Sequence, residues 1–297
     1  MYESFFGLKS KPFTILPDPN AIYWGRPHSL AYAMLEFGVM NSAGFTVITG
    51  EIGSGKTTLL RHLLKSLPDT VTPGLISNTP QGRQELLQWI LMALNQPFDG
   101  SYPVLFKQLT DHLHAQFARG QRTLLIIDEA QNLEPEALEH LRMIANINVD
   151  DQQILQLILV GQPQLRETLA RPELRQLAQR ISSDFHIQAL TEPEVVQYID
   201  FRVRTASVSP APEPLFSREA CARIAQASGG IPRLINILCD TALVYSFAAS
   251  KKQVSAAMVE QVIEDKRQIG ISPVMVGAAI RSSMDPANEV LAEDEEE

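Results

Sequence analysis

The sequence predicts an α/β domain, a parallel sheet between two layers of helices, followed by a small all-helical domain. Three observations carry this. Short apolar runs alternate with stretches long enough for helices up to about residue 190, the pattern of repeated βαβ units. The runs are continuously apolar rather than alternating, as in strands covered on both faces. Beyond residue 190 the strand-like runs stop and only helical periodicity remains.

Residues 1–27 carry Pro12, Phe13, Pro17, Pro19, Tyr23 and Trp24, and read as an ordered leader packing on the core domain. Residues 28–190 form that domain. It opens with a helix over 28–41, and its strands fall at Phe45–Thr49, Gly74–Ser77, Thr123–Ile127 and Ile154–Val160, with a shorter one near Asp184–Ile187. Thr191-Glu192-Pro193-Glu194 has capping-box spacing and opens a helix to about Thr205, with Val195, Ile199 and Val203 four apart. Three prolines make Ser209–Pro214 a loop. Helices over 217–227, 232–248 and 255–267 complete a helical domain spanning 191–270. Leu234, Ile235, Leu238, Cys239 and Ala242 line one face of the middle helix. Residues 271–297 read as a disordered acidic tail.

The formal net charge of the 297 residues is −9, but six of the 34 acids lie within Glu289–Glu297. The remaining 288 residues carry 25 bases against 28 acids, a net of −3. A nearly neutral body lacks the basic footprint of bulk nucleic-acid binding, so nucleic acid is not the favoured partner. Cys221 and Cys239 are too few for a disulfide framework and have no ligand spacing around them. Both read as buried, reduced thiols, as in a cytoplasmic protein. The N-terminus lacks the pattern of a signal peptide. The uncharged run Ile269–Ile280 is too short to span a bilayer and holds two glycines and a proline, so no transmembrane segment is expected.

Gly50-Glu51-Ile52-Gly53-Ser54-Gly55-Lys56-Thr57 matches the phosphate-loop pattern G-x-x-x-x-G-K-[ST], between the strand ending at Thr49 and a helix over Thr58–Ser66. A chance match in a chain this long has odds of about 1%. The pattern suits triphosphate because successive main-chain N–H groups and a helix N-terminus face the anion, while glycine lets the backbone approach closely. Lys56 is expected on the β- and γ-phosphates of ATP, the Thr57 hydroxyl on Mg²⁺, and Thr58 in the same cradle. Leu124-Leu125-Ile126-Ile127-Asp128-Glu129 is a buried strand ending in two carboxylates. It is expected beside the phosphate-loop strand, with Asp128 in the Mg²⁺ shell and Glu129 as general base for the attacking water. His112 and His114, one residue apart on a helix, point to different faces and are not read as metal ligands. Phe13 and Ile15 are read either as flanking adenine or as core.

A phosphate loop, an Asp-Glu strand end, a further strand ending in a polar residue and a helical domain with an arginine resemble the AAA+ superfamily of P-loop NTPases. Three stretches narrow the resemblance to general secretion pathway protein A-type ATPases, including the branch linked to exosortase and exopolysaccharide loci. These are Tyr2-Glu3-Ser4-Phe5-Phe6-Gly7-Leu8 through Leu16-Pro17-Asp18-Pro19, then Asp128-Glu129-Ala130-Gln131-Asn132-Leu133, and Gly229-Gly230-Ile231-Pro232-Arg233. They cover about residues 1–270. The resemblance implies further site residues. Gln162, after the fourth strand, takes the position of a γ-phosphate sensor. Arg233 takes that of the lid arginine on the terminal phosphate; Pro232 puts it in a helix's first turn, where a cation is unfavourable by roughly 0.3–1 kcal/mol unless an anion offsets it. Arg180, before the fifth strand, takes the position of an arginine finger acting on a neighbouring subunit, with Arg175 as its competitor and a salt bridge as the alternative.

The resemblance also implies a homo-oligomer and inner-membrane export-system partners, with the chain cytoplasmic or peripheral at the inner membrane through those partners. The function expected is an ATPase driving conformational or oligomeric change in a cell-envelope secretion or exopolysaccharide export system. A DNA-binding regulator of transposition or recombination and a nucleotide-gated scaffold with little turnover are the rivals.

Overall fold

The computed structural model describes residues 1–15, 22–41, 43–77, 80, 82–150, 152–209 and 214–268. The expected disordered tail, Leu16–Pro19 of the leader and most of the proline loop lie outside them. The chain divides into two compact units. One comprises Arg26–Glu51 and Lys56–Gln188, the other Met1–Gly25, Ile52–Gly55 and the chain from Ala189 onward.

The first unit is built on β1 (Phe45–Gly50), β2 (Val71–Ile76), β3 (Arg122–Ile127), β6 (Leu155–Gly161) and β7 (Ile181–Ile187), all parallel, in the order β2-β3-β6-β1-β7. A separate antiparallel pair joins β4 (Asn148–Val149) to β5 (Gln152–Gln153). Each central strand buries side chains on both faces, and successive residues divide between two cores. Ile48, Leu124, Ile126, Ile158 and Val160 face α1 (Arg26–Met40) and α2 (Lys56–Ser66). Val47, Leu125, Ile127, Leu157 and Leu159 face α3 (Arg83–Ala93), α4 (Tyr102–Ala118) and α5 (Pro135–Ile144). Two short helices, α6 (Gln164–Leu169) and α7 (Arg175–Ala178), precede β7.

The strand order corrects one expectation. β3, expected beside the phosphate-loop strand, is separated from β1 by β6. Apolar runs identify strands but carry no information on their order. Because every strand of the five-stranded sheet is parallel, the C-terminal ends of β3, β6 and β1 still share one edge.

The second unit is helical: α8 (Glu192–Ala206), α9 (Arg218–Ser228), α10 (Pro232–Ala248) and α11 (Ala256–Gln268). The expected capping box forms, with Glu194 accepting from the Thr191 N–H at 2.9 Å. Cys221 and Cys239 are buried free thiols. The leader was expected on the α/β core, but its anchoring side chains Tyr2, Leu8 and Phe13 lie in the core of the helical unit. Phe13 stacks edge-on with Phe216, ring centroids 5.7 Å apart, while Ile15 is exposed. Arg202 donates to the Pro12 carbonyl at 2.7 Å, and the Tyr2 hydroxyl donates to Asp240.

Candidate functional site

Gly50 ends β1, and Lys56 begins α2, so the phosphate loop is the turn between a buried strand and a helix N-terminus. Gly53 and Gly55 have φ of 83° and 98°, the left-handed region that side chains disfavour. Lys56 is only 7% exposed, and its ammonium donates to the carbonyls of Gly50 at 2.7 Å and Glu51 at 2.9 Å. Burial pushes its pKa down, opposed by Glu129, Asp128 and Glu51. Thr57 and Thr58 follow in the first turn, and the Thr57 hydroxyl donates to Asp128 Oδ2 at 3.3 Å.

Asp128 follows β3 directly. Burial pushes its pKa up, and the Glu129 charge adds to this, while the Glu129 N–H, Thr57 and Lys56 pull it down. Glu129 sits in left-handed backbone, φ 55°, with its N–H donating to Asp128 Oδ1 at 2.9 Å. Such backbone is uncommon for a non-glycine residue; here it turns the chain from the sheet edge into the 3₁₀ turn Ala130–Asn132. Glu129 Oε2 accepts from Gln131 Nε2 at 2.7 Å and from Gln162 Nε2 at 3.4 Å. Gln162 follows β6, beside the end of β3 in register. At the end of β7 the His186 ring meets the Thr49 hydroxyl at 3.0 Å. Burial lowers the His186 pKa, and Arg166 lowers it further.

Thr57 and Asp128 are hard oxygen donors, the chemistry Mg²⁺ takes. Among the described residues no three His, Cys, Asp or Glu side chains gather as a metal site. An all-oxygen pair such as Thr57 and Asp128 fits a Mg²⁺ whose remaining ligands would be phosphate and water.

In the helical unit, the Arg233 N–H donates to the Gly53 carbonyl at 3.2 Å, and a Cβ on Gly53 would fall 2.3 Å from the Arg233 Cβ. The exposed Arg233 side chain thus leaves from directly beside Gly53. Gly230 serves a different close approach, since a Cβ there would lie 2.0 Å from the Leu190 carbonyl oxygen. Arg180 lies half-buried between α7 and β7, and Arg175 is exposed at the start of α7. Among the described residues neither forms an ion pair. Gln131 and His186 were not singled out by sequence. Gln131 stands two residues past Glu129, but nothing local showed what its side chain would reach.

The AAA domain family matches residues 39–169. General secretion pathway protein A of Aeromonas hydrophila is 40% identical over 256 residues, covering 86% of this chain. The chain spans 46% of that relative's length. Among solved structures, the Aeropyrum pernix ORC2 protein, in ADPNP–ADP complexes, superposes with a TM-score of 0.64 at 19% identity, covering 87% of this chain and 72% of that one. Cdc6p from Pyrobaculum aerophilum gives 0.62 at 19% identity, covering 80% and 66%. The RuvB branch migration motor of Thermotoga maritima gives 0.52 at 17%, covering 85% and 74%. At these identities the structural likeness speaks to the fold.

Proposed function

This chain carries an AAA domain of the P-loop type and is similar to General secretion pathway protein A, and from that premise we propose that it binds and hydrolyses Mg-ATP. The observation that carries the proposal is the sheet edge where Thr57, Asp128 and Glu129 converge from α2 and β3, with Glu129 held by two side-chain amides. Lys56 and the loop N–H groups bind the phosphates. Thr57 and Asp128 would hold Mg²⁺, which when bound would neutralise phosphate charge. Glu129 takes the proton of the attacking water, and Gln162 orients that water against the γ-phosphate. Arg233 offsets the negative charge of the terminal phosphate, and Arg180 supplies the finger to a neighbouring copy in a homo-oligomer. The relative's name supports a role in secretion, and the role we propose is assembly or regulation of a cell-envelope secretion or exopolysaccharide export system through inner-membrane partners. Among the described residues no helix is long and apolar enough to cross a membrane.

The test is steady-state phosphate release by the purified chain with Mg-ATP, alongside nucleotide affinity by equilibrium titration. Magnesium-dependent binding and turnover are expected; binding without turnover would shift the reading to a nucleotide-gated scaffold, and no binding would end it. Affinity capture from native extract is expected to recover inner-membrane secretion or polysaccharide components. Recovery of replication or recombination proteins alone would remove the export role.

A further inference from the structure

We infer that Gln131 is a positioning residue for hydrolysis, because its one amide ties the Glu129 carboxylate on one side to the Gln162 main chain on the other. The inference rests on the reading of Glu129 as general base. Gln131 Nε2 donates to Glu129 Oε2 at 2.7 Å, while Gln131 Oε1 accepts the Gln162 N–H at 2.9 Å. A side-chain amide has one donor end and one acceptor end, and both are used. The acceptor end is held by backbone rather than by a mobile side chain, so the amide plane is fixed by the end of β6. The donor end passes that orientation to Glu129.

Glu129 needs such a tether. It is exposed, past the end of its strand, and a carboxylate there turns freely unless something holds it. A base must stay within reach of the water it deprotonates, and displacement of about 1 Å costs up to about a hundredfold in rate. The second tether, Gln162 Nε2 at 3.4 Å, is at the limit of a hydrogen bond, so Gln131 carries the orientation. Both amides take Oε2, and among the described residues Oε1 accepts no side-chain bond. Oε1 is therefore the oxygen left for the proton. Gly161 makes room for the tether and for the core beside it: a Cβ there would fall 2.9 Å from Gln131 Oε1, 3.0 Å from Leu165 Cδ2 and 3.2 Å from the Gln131 main-chain nitrogen.

Three variants of the full chain test this: Gln131→Ala, Gln131→Glu and Gly161→Ala. Gln131→Glu keeps the shape and the acceptor for the Gln162 N–H but replaces the donor facing Glu129 with a like charge. Each is expected to lower kcat about ten- to a hundredfold, the two Gln131 variants with KM, nucleotide affinity and melting temperature close to wild type, and Gly161→Ala with a lowered melting temperature as well, from its contact with Leu165. Gly161→Ala added to Gln131→Ala is expected to cost little more, since both act through one amide. Wild-type kcat in Gln131→Ala or Gln131→Glu overturns the inference, as does a raised kcat, which would make the amide a restraint. So do independent, additive losses of kcat in the double variant, or a fall in kcat matched by lost affinity and melting temperature in either Gln131 variant. Turnover by wild type with unchanged Gln131 variants sinks this inference alone. Absence of wild-type turnover removes the ATPase reading and this one with it.

Discussion

Lys56 is held almost out of solvent by two main-chain carbonyls, with burial working against its charge. An ammonium kept charged in that position is stabilised by an anion, which under the proposed function is a phosphate of ATP. Lys56→Ala is expected to weaken ATP binding about ten- to a hundredfold, the worth of a charge-assisted hydrogen bond of ~1.5–3 kcal/mol, as read by equilibrium titration. Unchanged affinity would detach Lys56 from the nucleotide. Glu129→Gln removes the proposed base but keeps an acceptor for the amide of Gln131. It is expected to bind ATP as wild type does and to lower kcat by about 10²–10⁴, which single-turnover assays will resolve. The positions of Lys56, Thr57, Asp128 and Glu129 were legible because the phosphate loop and the Asp-Glu strand end are local patterns, each readable within eight residues. Gln131 was not. Its meaning depends on Gln162, 31 residues away, and on β3 and β6 being neighbours. No local window contains that fact.

At the scale of elements, legibility follows position in the sheet. The central strands β3, β6 and β1 are buried from both sides, so their apolar runs mark them to within a residue or so. The mis-bounded strands are the two edges. β2 begins at Val71, three residues before the expected Gly74, because an edge strand tolerates Pro73. β7 begins at Ile181 rather than Asp184, because Ser182 and the half-covered residues beside it read as loop. Contact between layers produces its own constraint at Gly38 of α1, where a Cβ would fall 2.3 Å from the Thr46 hydroxyl of β1. Gly38→Ala is expected to destabilise by about 1–3 kcal/mol through overpacking, and Gly38→Ala with Thr46→Ala to recover much of that loss in thermal unfolding. An unchanged melting temperature in the single variant would mean α1 moves off the sheet at no cost. The seam between α4 and α5 depends on pH. Tyr102 meets His140 Nε2 at 2.7 Å, and burial lowers the His140 pKa, with Arg83 adding to it against Glu136. The fold therefore favours neutral imidazole, and the unfolded chain binds more protons below the ordinary histidine value of about 6.5. Stability is fully present above that pH and declines as pH falls through it toward the lowered folded value. His112 and His186, also lowered by burial, act in the same direction. Melting temperature is expected to drop on going from about pH 7 to about pH 5.5, and less steeply in His140→Gln; an equal slope in both proteins would remove His140 from the account.

The molecule as a whole is two units with separate cores, and the leader belongs to the helical one. Its Pro and aromatic content announced order, but a sequence pattern cannot say which of two apolar surfaces Tyr2, Leu8 and Phe13 will join. Oligomeric action is the whole-molecule question that remains, and Arg180 is where it can be decided. Arg180 stands before β7, half-buried, with no ion pair among the described residues. If it acts on a neighbouring copy, Arg180→Ala keeps nucleotide affinity and loses turnover, while Glu129→Gln loses turnover for a different reason. Mixed in equal amounts, the two inactive proteins rebuild complete sites wherever an intact Glu129 faces an intact Arg180 from the next copy. Random assembly then restores about a quarter of wild-type turnover per subunit, provided sites act independently, because head-to-tail interfaces pair each site with one neighbour. The same mixture with Lys56→Ala in place of Glu129→Gln should also regain activity if the Lys56→Ala subunit still assembles, since it too donates Arg180. Full turnover in Arg180→Ala alone would pass the role to Arg175 or abolish it. Lost turnover with no recovery on mixing would confine Arg180 to its own subunit.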